Sequence, residues 1–268
     1  MTQLLKTRTR VILALRRIIS ALPGGNMLLR KRPDFLFSDF FLRRRFARIG
    51  NARQVFRKHY EVNGWRGDES VSGPGSTIRY TENIRRMIPE LVKDLEAHVI
   101  LDAPCGDYNW FRMINWETEI HYIGGDIVEP LVERNQSLHG SENKKFVCLD
   151  IMHDVLPKAD LWLCRDCLFH LPNRGIMLAV DNFLNSDIRY LLTSTHFDCD
   201  RNRDIPTGAF RLLNLELPPF SFCKPIRVID DWIEGYPARR LALWERNTLA
   251  DSLASNKAFQ RKGTGSRV

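Results

Sequence analysis

The segment 99–126 places two apolar runs, each followed by or ending in an aspartate, on either side of a turn-rich stretch. The first run, 99–101, is short and leads directly into Asp102. The second run, 122–125, leads into Asp126, 24 positions after Asp102. Short apolar runs bounded by turn residues are typical of buried strands. Because ligands of open α/β sheets bind at the carboxyl ends of the strands, this segment predicts a nucleotide site.

The loop after the first run differs from the loop of a dinucleotide site. A dinucleotide site uses the glycine pattern G-x-G-x-x-G, whereas the segment 102–108 contains only Gly106. A pyrophosphate would find few exposed backbone amides there, and Asp107 would repel it. S-adenosylmethionine has no phosphate and carries a positive sulfonium, so acidic residues in the loop are compatible with it. Asp126 lies near the spacing at which an acidic residue binds both ribose hydroxyls.

The same residues resemble a motif of a known enzyme family. Asp102, Cys105 and Gly106 match motif I of the class I S-adenosylmethionine-dependent methyltransferases in its D-x-x-C-G-x-G variant. Pro104 and Tyr108 depart from the pattern, because many members of the family have glycine at these two positions.

Further apolar runs continue the family's order of strands. They lie at 145–151, 160–172, 189–195, 224–229 and 240–244. Strands that alternate with helical stretches predict crossover units and a parallel sheet. The resemblance covers about residues 70–250. It implies a doubly wound α/β fold with a mostly parallel seven-stranded sheet and a C-terminal antiparallel hairpin.

The resemblance also implies S-adenosyl-L-methionine as the cofactor. In the family, the residue at Asp126 binds the ribose hydroxyls, and the acidic residue at Asp150 lies near the adenine amino group. The cofactor-binding residues that the resemblance implies are Asp102, Cys105, Gly106, Asp107, Asp126, Ile127, Asp150, Ile151 and Arg165.

The loop after the fourth predicted strand offers two candidate catalytic residues. Methyl transfer from a sulfonium is an in-line displacement, so the protein must align donor and acceptor and remove a proton from the acceptor. His170 is the natural base near neutral pH, and Asp166 either orients it or accepts the proton itself. Two structural alternatives stay open. His170 could tie the loop to the next helix, and Asp166 could cap a helix or contact the cofactor.

A long polar segment, 197–220, separates the fifth predicted strand from the hairpin. It is too polar for a core and too long for a simple connection, which predicts a functional loop. Its candidate acceptor-binding residues are Asn202, Asp204, Arg211 and Asn214, with apolar walls from Phe210 and Phe220. These residues favour a small polar acceptor, and an oxygen of a sugar or glycan is the leading hypothesis.

Basic residues are concentrated at the N-terminus. Residues 1–60 carry a net charge of +13, from fifteen Lys or Arg and two Asp, whereas the whole chain carries +8. With apolar residues near helical spacing, this extension suits an anionic membrane surface or a partner protein, or it forms a solvated helix on the domain. We expect a basic helical extension at 1–64, a methyltransferase domain at 65–250 and a flexible tail at 251–268.

The distribution of charge bears on the class of partner, and the cysteines bear on the cellular compartment. A nucleic-acid methyltransferase would spread Lys and Arg around the cleft, whereas the cleft motifs here are acid-rich. The six cysteines lie mostly in or beside predicted strands, as core thiols of a cytoplasmic protein do. The pair Cys164-x-x-Cys167 has the spacing of zinc ligands but lacks a second pair, so no metal site is predicted.

Two other functions and one segment stay open. The basic extension would let a methyltransferase hold a protein or an RNA, and a chain with this fold could also be a non-catalytic binding module. The segment 65–76 is rich in Gly, Ser and Pro, so it is either a linker or a lid over the cofactor.

Overall fold

The computed structural model describes residues 51–263, and their strands form one seven-stranded sheet in the order β3-β2-β1-β4-β5-β7-β6. The strands are β1 (Val99–Asp102), β2 (His121–Asp126), β3 (Lys144–Cys148), β4 (Leu161–Cys164), β5 (Tyr190–Thr195), β6 (Arg227–Asp230) and β7 (Arg240–Glu245). Strands β1 to β5 are parallel, and β7 lies antiparallel between β5 and β6. The predicted mostly parallel sheet with a C-terminal hairpin is confirmed.

Five α-helices occur in the described part of the chain. They are α1 (Ala52–Glu61), α2 (Glu82–Asp94), α3 (Glu129–His139), α4 (Asn173–Leu184) and α5 (Arg246–Gly263). Helix α2 shows why these segments are helical, because Ile84, Ile88, Leu91 and Val92 recur at helical spacing and are all buried. Its polar face is left to solvent, and its apolar face covers the sheet.

The core lies on both faces of the sheet. Along β4, Leu161 and Leu163 belong to one apolar cluster, whereas Trp162 and Cys164 belong to the other. Successive side chains of a strand point to opposite faces, so a strand covered on both sides is apolar throughout. The first cluster includes residues of α2 and the second includes residues of α4, which makes the fold a helix–sheet–helix sandwich.

The strand order determines where a ligand site forms. β1 pairs with β2 on one side and with β4 on the other, so the chain crosses over in opposite directions from this strand. The loops after neighbouring strands then diverge and leave a crevice at the carboxyl ends. The sheet therefore places its crevice beside the loops that follow β1, β2 and β4.

The domain limits differ from those expected. Helix α1 lies within the expected extension, yet its Phe56 and His59 line the same cavity as the strand-end loops. At the other end, helix α5 extends into the expected tail, over residues 251–263. Leu253 of this helix packs against the core beside buried Leu249. The rest of the basic extension, residues 1–50, and residues 264–268 lie outside the described residues.

Within residues 51–263, no helix combines the length and the apolar character that crossing a bilayer requires.

Candidate active site

A cavity of about 370 Å³ lies at the carboxyl ends of the parallel strands. This volume falls within the range of small-molecule sites, about 300–1,000 Å³. Ten of the predicted cofactor-binding and catalytic residues line it: Asp102, Cys105, Gly106, Asp126, Ile127, Asp150, Ile151, Arg165, Asp166 and His170. The segment 65–76, expected to be a linker or a lid, forms part of the wall as well.

Asp126 ends β2 and holds the loop that follows β1. Its Oδ2 atom accepts a hydrogen bond from the Gly106 amide at 3.1 Å, and its Oδ1 atom accepts one from the Val128 amide at 3.0 Å. Burial raises the pKa of Asp126 to about 6, and the backbone hydrogen bonds act in the opposite direction. Each carboxylate oxygen has a second lone pair, so Asp126 can also accept hydrogen bonds from a ligand.

Asp102 ends β1 and lines the same side of the cavity. Its Oδ2 atom accepts a hydrogen bond from the hydroxyl of Tyr122 at 2.8 Å. Burial raises the pKa of Asp102 to about 7. Because an opposite charge nearby favours the ionised form, a cationic group of a ligand would interact favourably with this carboxylate.

Tyr108 keeps the backbone shape of the glycine that many family members have at its position. Its φ of +57° lies in the left-handed region that favours glycine. The ring is buried among Phe111, Tyr122 and Phe146, with centroid distances of 5.9, 4.9 and 5.1 Å. Aromatic packing therefore offsets the backbone strain, and the departure from the motif leaves the loop conformation intact.

Asp107, predicted to bind the cofactor, does not line the cavity. Its carboxylate accepts hydrogen bonds from the Ser70 hydroxyl at 2.9 Å, the Val71 amide at 2.9 Å and the Ser72 hydroxyl at 3.2 Å. The Ser72 hydroxyl in turn accepts a hydrogen bond from the Asp107 amide at 3.1 Å. Asp107 thus fixes the segment 70–72 against the loop after β1, and its oxygens are engaged in that task.

Gly106 is required both for its backbone conformation and for lack of a side chain. Its φ is +56°, and a Cβ atom there would overlap the Ser72 hydroxyl. We expect Gly106→Ala to lower the free energy of unfolding by about 1–2 kcal/mol for the conformation and by about 1–3 kcal/mol more for the overlap. Urea unfolding monitored by circular dichroism measures the loss. Gly235→Ala is the matched control, since Gly235 has φ +92° but open space around it. Equal losses in the two variants would contradict the role of the Ser72 contact.

Asp150 and Ile151 follow β3 and line the cavity. The Asp150 carboxylate accepts a hydrogen bond from the Met152 amide at 3.0 Å and lies 3.0 Å from Nδ1 of His153. These contacts shape the turn after β3. They leave the second lone pairs of the carboxylate available to a ligand.

Arg165, Asp166, Asp231 and Arg239 form an ion cluster beside the cavity, and all but Asp231 line it. Asp231 accepts hydrogen bonds from Arg165 Nε and Nη2, both at 2.9 Å, and from Arg239 Nε at 3.1 Å. Arg239 Nη2 lies 2.8 Å from Asp166 Oδ2. Two positive and two negative groups make the cluster neutral. Arg165, predicted to bind the cofactor, lines the cavity while donating to Asp231 and to the carbonyl of Gly75 at 2.7 Å.

Asp166 is tied to this cluster and to β5. The Ser194 hydroxyl lies 3.2 Å from Asp166 Oδ1 and accepts a hydrogen bond from the Asp166 amide at 3.0 Å. Together with Arg239, these contacts occupy the carboxylate. Asp166 therefore contributes to the shape and charge of the wall, and His170 is oriented by another group.

That group is the carbonyl oxygen of Ala209, which lies 2.8 Å from His170 Nδ1. Since a carbonyl accepts hydrogen bonds only, we assign the ring proton to Nδ1 and leave Nε2 as an acceptor. Burial lowers the pKa of His170 to about 3, so the ring is neutral near neutral pH. His170 thus contacts the segment 197–220 rather than the next helix, and it also lines the cavity.

The four predicted acceptor-binding residues do not line the cavity. The side-chain amide of Asn202 donates to the backbone carbonyls of Asn214 and Leu217 at 2.8 and 3.1 Å. Asp204 accepts from the Asn173 amide at the start of α4 at 2.7 Å, and Arg211 is buried and donates to the Leu171 carbonyl at 2.9 Å.

The fourth residue of that set has the same kind of role. Asn214 accepts a hydrogen bond from the Glu216 amide at 3.0 Å. A long loop has many backbone groups that need partners, and its own polar side chains provide them. Of the segment 197–220, residues 206–210 line the cavity instead.

Seven aromatic rings form one side of the cavity, here called the ring wall. They are Phe56, His59, Trp65, Phe169, His170, His196 and Phe210, all of which line the cavity. Of these seven, only His170 and Phe210 have a site role that the sequence predicts. The other five come from three separate places in the chain, 56–65, Phe169 and His196, and scattered aromatic residues carry no signal of a shared site.

Asp231 and Arg239 were also missed, although one signal was present. Asp231 directly follows the strand β6 (Arg227–Asp230), which is the pattern that identified Asp102 and Asp126. Arg239 has no comparable signal. Among the described residues, no group of three or more His, Cys, Asp or Glu side chains is placed to hold a metal ion.

No model of a known protein family matches the sequence, and no curated protein matches it either. Among solved structures, the chain is similar to magnesium protoporphyrin IX methyltransferase (ChlM) from Synechocystis with bound S-adenosylmethionine. The identity is 17%, the match covers 74% of this chain and 99% of that chain, and the TM-score is 0.51.

The chain is also similar to N-methyltransferase NodS from Bradyrhizobium japonicum in complex with S-adenosylhomocysteine. Here the identity is 14%, the match covers 73% of this chain and 98% of that chain, and the TM-score is 0.51. The chain has the class I methyltransferase fold, which confirms the resemblance at the level of the fold.

Proposed function

We propose that this protein is a methyltransferase that uses S-adenosyl-L-methionine and acts on a small acceptor. The observation that carries the proposal is the position of Asp126 at the end of β2, inside the cavity and bonded to the Gly106 amide. This is the arrangement in which a strand-end carboxylate accepts hydrogen bonds from both ribose hydroxyls. The class I methyltransferase fold of the chain supports it.

The residues of the cavity fit this cofactor chemically. Asp102 and Asp126 are buried carboxylates, and a sulfonium or an α-amino group beside them would favour their ionised forms. Asp102, Cys105 and Gly106 would hold the methionine part, and Asp126 would hold the ribose. Ile127 would contact the adenine, beside Asp150, Ile151 and Arg165. When bound, S-adenosylmethionine supplies a methyl group that is already activated on a sulfonium.

His170 is the residue that would take the acceptor proton. Its Nδ1 is committed to Ala209, and Nε2 is an unprotonated acceptor in the wall of the cavity. Asp166 is engaged by Arg239 and Ser194, so we assign it the role of shaping the wall.

The acceptor is the least constrained part of the proposal. A sugar or glycan oxygen was inferred from Asn202, Asp204, Arg211 and Asn214, and these residues now have structural roles. The residues that do line the cavity therefore bear on the acceptor class. The basic extension at 1–60 still favours a second candidate, methylation of a protein or an RNA, or contact with an anionic membrane.

Two measurements on the purified full chain test the proposal. Calorimetry with S-adenosylhomocysteine is expected to show saturable binding. Incubation of a cell extract with methyl-labelled S-adenosylmethionine is expected to place the label in the small-molecule fraction when the chain is present. Label in protein or RNA would favour the second candidate, and no binding at all would favour a non-catalytic module.

We expect His170→Gln to slow label transfer by about 10²–10⁴-fold, since loss of a positioned base has effects of this size. Glutamine retains hydrogen-bonding capacity but does not take up a proton. Affinity for S-adenosylhomocysteine is expected to change by less than about threefold. This is a difference of well under about 1.4 kcal/mol in binding free energy, the amount that corresponds to a tenfold change. His121→Gln is the control, because His121 is exposed at the start of β2, at the amino ends of the parallel strands, and does not line the cavity. A His170→Gln enzyme with full activity would make His170 structural.

A further inference from the structure

The ring wall is a continuous aromatic surface. The ring of His59 stacks on Trp65 with a centroid distance of 4.2 Å and an interplanar angle of 4°, and Trp65 lies 4.3 Å from His170. His170 lies 4.6 Å from Phe169, which in turn lies 5.3 Å from His196. Helix α1, the segment 65–76 and two loops beyond the sheet thus contribute adjoining rings to one side of the cavity.

The three histidines of this wall are neutral. Burial lowers the pKa of His59 to about 4 and the pKa values of His170 and His196 to about 3. Burial also excludes the water that would stabilise a charged imidazole. The wall therefore presents aromatic faces without net charge, in contrast to the carboxylates at the strand ends.

Two directional polar groups belong to the wall. His170 Nδ1 faces the Ala209 carbonyl, so its Nε2 is a hydrogen-bond acceptor. His196 Nδ1 accepts a hydrogen bond from the Leu213 amide at 3.2 Å, so its Nε2 carries the proton and is a donor. A ligand against this wall is offered one imidazole acceptor and one imidazole donor.

We propose that the methyl acceptor is a flat aromatic or heteroaromatic molecule that bears a hydroxyl or ring N–H group and lies against the ring wall. This inference rests on the proposed methyltransferase function and names its acceptor class. Ring faces bind planar π systems by stacking. A hexose has a hydroxyl on most ring atoms, and each one loses water on burial and needs its own partner. The wall offers too few polar groups for such a ligand.

The chemistry of proton removal favours the same class. A phenolic hydroxyl has a pKa of about 10, as in tyrosine, whereas an aliphatic hydroxyl gives up its proton far less readily. A neutral imidazole in an apolar wall is a weak base. In the transfer step, the acceptor oxygen or nitrogen forms a bond to the methyl carbon, the sulfonium–methyl bond breaks, and the acceptor proton passes to His170 Nε2. S-adenosylhomocysteine and the methylated ring are the products.

Umbelliferone, a flat bicyclic phenol, and methyl glucoside, a polyhydroxylated ring, are suitable probes. Calorimetry with the full chain saturated with S-adenosylhomocysteine is expected to show umbelliferone binding at least about tenfold more tightly than methyl glucoside, because the phenol can stack on the ring wall and the glucoside cannot. For the same reason, we expect Trp65→Ala to weaken umbelliferone binding about tenfold or more, and Trp65→Phe to restore most of it.

Control variants separate the outcomes. Trp232→Ala is expected to change neither affinity, because Trp232 is exposed and lies outside the cavity. Glucoside binding as tight as that of the phenol, or a Trp65→Ala variant with unchanged phenol affinity, overturns the aromatic acceptor while S-adenosylhomocysteine binding still supports the methyltransferase. If the wild-type chain does not bind S-adenosylhomocysteine, the proposed function itself is overturned.

Discussion

Asp126→Ala is expected to weaken S-adenosylhomocysteine binding by at least about 100-fold and to leave the fold intact. Two hydrogen bonds from ribose hydroxyls to a charged carboxylate contribute about 1.5–3 kcal/mol each. Losing both therefore corresponds to two orders of magnitude or more in affinity. The measurement is calorimetry well above the pKa of about 6 of Asp126, so that the wild-type carboxylate is ionised.

Asp160→Ala is the matched control for this variant. Like Asp126, Asp160 accepts hydrogen bonds from two backbone amides, those of His98 and Val99, both at 2.8 Å. It precedes β4 and therefore lies at the amino ends of the strands, away from the cavity. Both variants lose a carboxylate that fixes backbone amides, but only the change at Asp126 should affect the ligand. Similar affinities in the two variants would refute the ribose assignment.

Asp231→Ala is expected to have the largest effect on stability, lowering the free energy of unfolding by about 3–5 kcal/mol, as does removing one partner of a buried ion pair. Asp231 is 1% exposed and accepts hydrogen bonds from both Arg165 and Arg239. Without it, two buried guanidinium groups share the single carboxylate of Asp166. Urea unfolding followed by circular dichroism measures the change.

Asp230→Ala, the adjacent position, is the control for Asp231. Asp230 pairs with Arg240 at 3.2 Å, but both side chains are substantially exposed. Exposed pairs contribute about 0–1 kcal/mol. If the free energy of unfolding falls no further for Asp231→Ala than for Asp230→Ala, then solvent or Asp166 balances the positive charge of the two arginines. The ion cluster would then not be important for stability.

The order of secondary structure could be predicted because it depends on local patterns. Apolar runs such as that of β1 (Val99–Asp102) are closed by turn residues. A strand that is covered on both faces buries every side chain, so such a run is expected to form one. The spacing of Ile84, Ile88 and Leu91 indicates the covering helix in the same way. The start of the domain was harder to define, because α1 (Ala52–Glu61) is basic on its exposed side and contributes only a few residues to the cavity.

The cofactor half of the site was predictable for a related reason. Parallel strands end at the same edge of the sheet, so a carboxylate that follows a strand, such as Asp102 or Asp126, lies near the crevice. Asp107 also lies in the loop after a strand, but its carboxylate points away from the cavity. Its oxygens bind the segment 70–72, whose position depends on tertiary folding. The carboxylate of Asp231 shows that the rule also extends to β6.

The acceptor half could not be predicted from local pattern. Polar residues of the loop 197–220, such as Asn202 and Arg211, bind the loop's own backbone, because a long connection must satisfy its buried amides and carbonyls. The rings of Phe56, Phe169 and His196 come from three separate parts of the chain. Only their assembly gives them a shared surface.

The sequence by itself therefore determined the sheet, the helices that cover it and the carboxylates at the strand ends, since each depends on residues close together in the chain. Only the tertiary structure decided what the cavity presents to an acceptor. The ring wall and the ion cluster join residues as far apart as Phe56 and Arg239. Their contacts depend on how helix α1 and the hairpin of β6 and β7 fold back onto the crevice, and local sequence does not encode that arrangement.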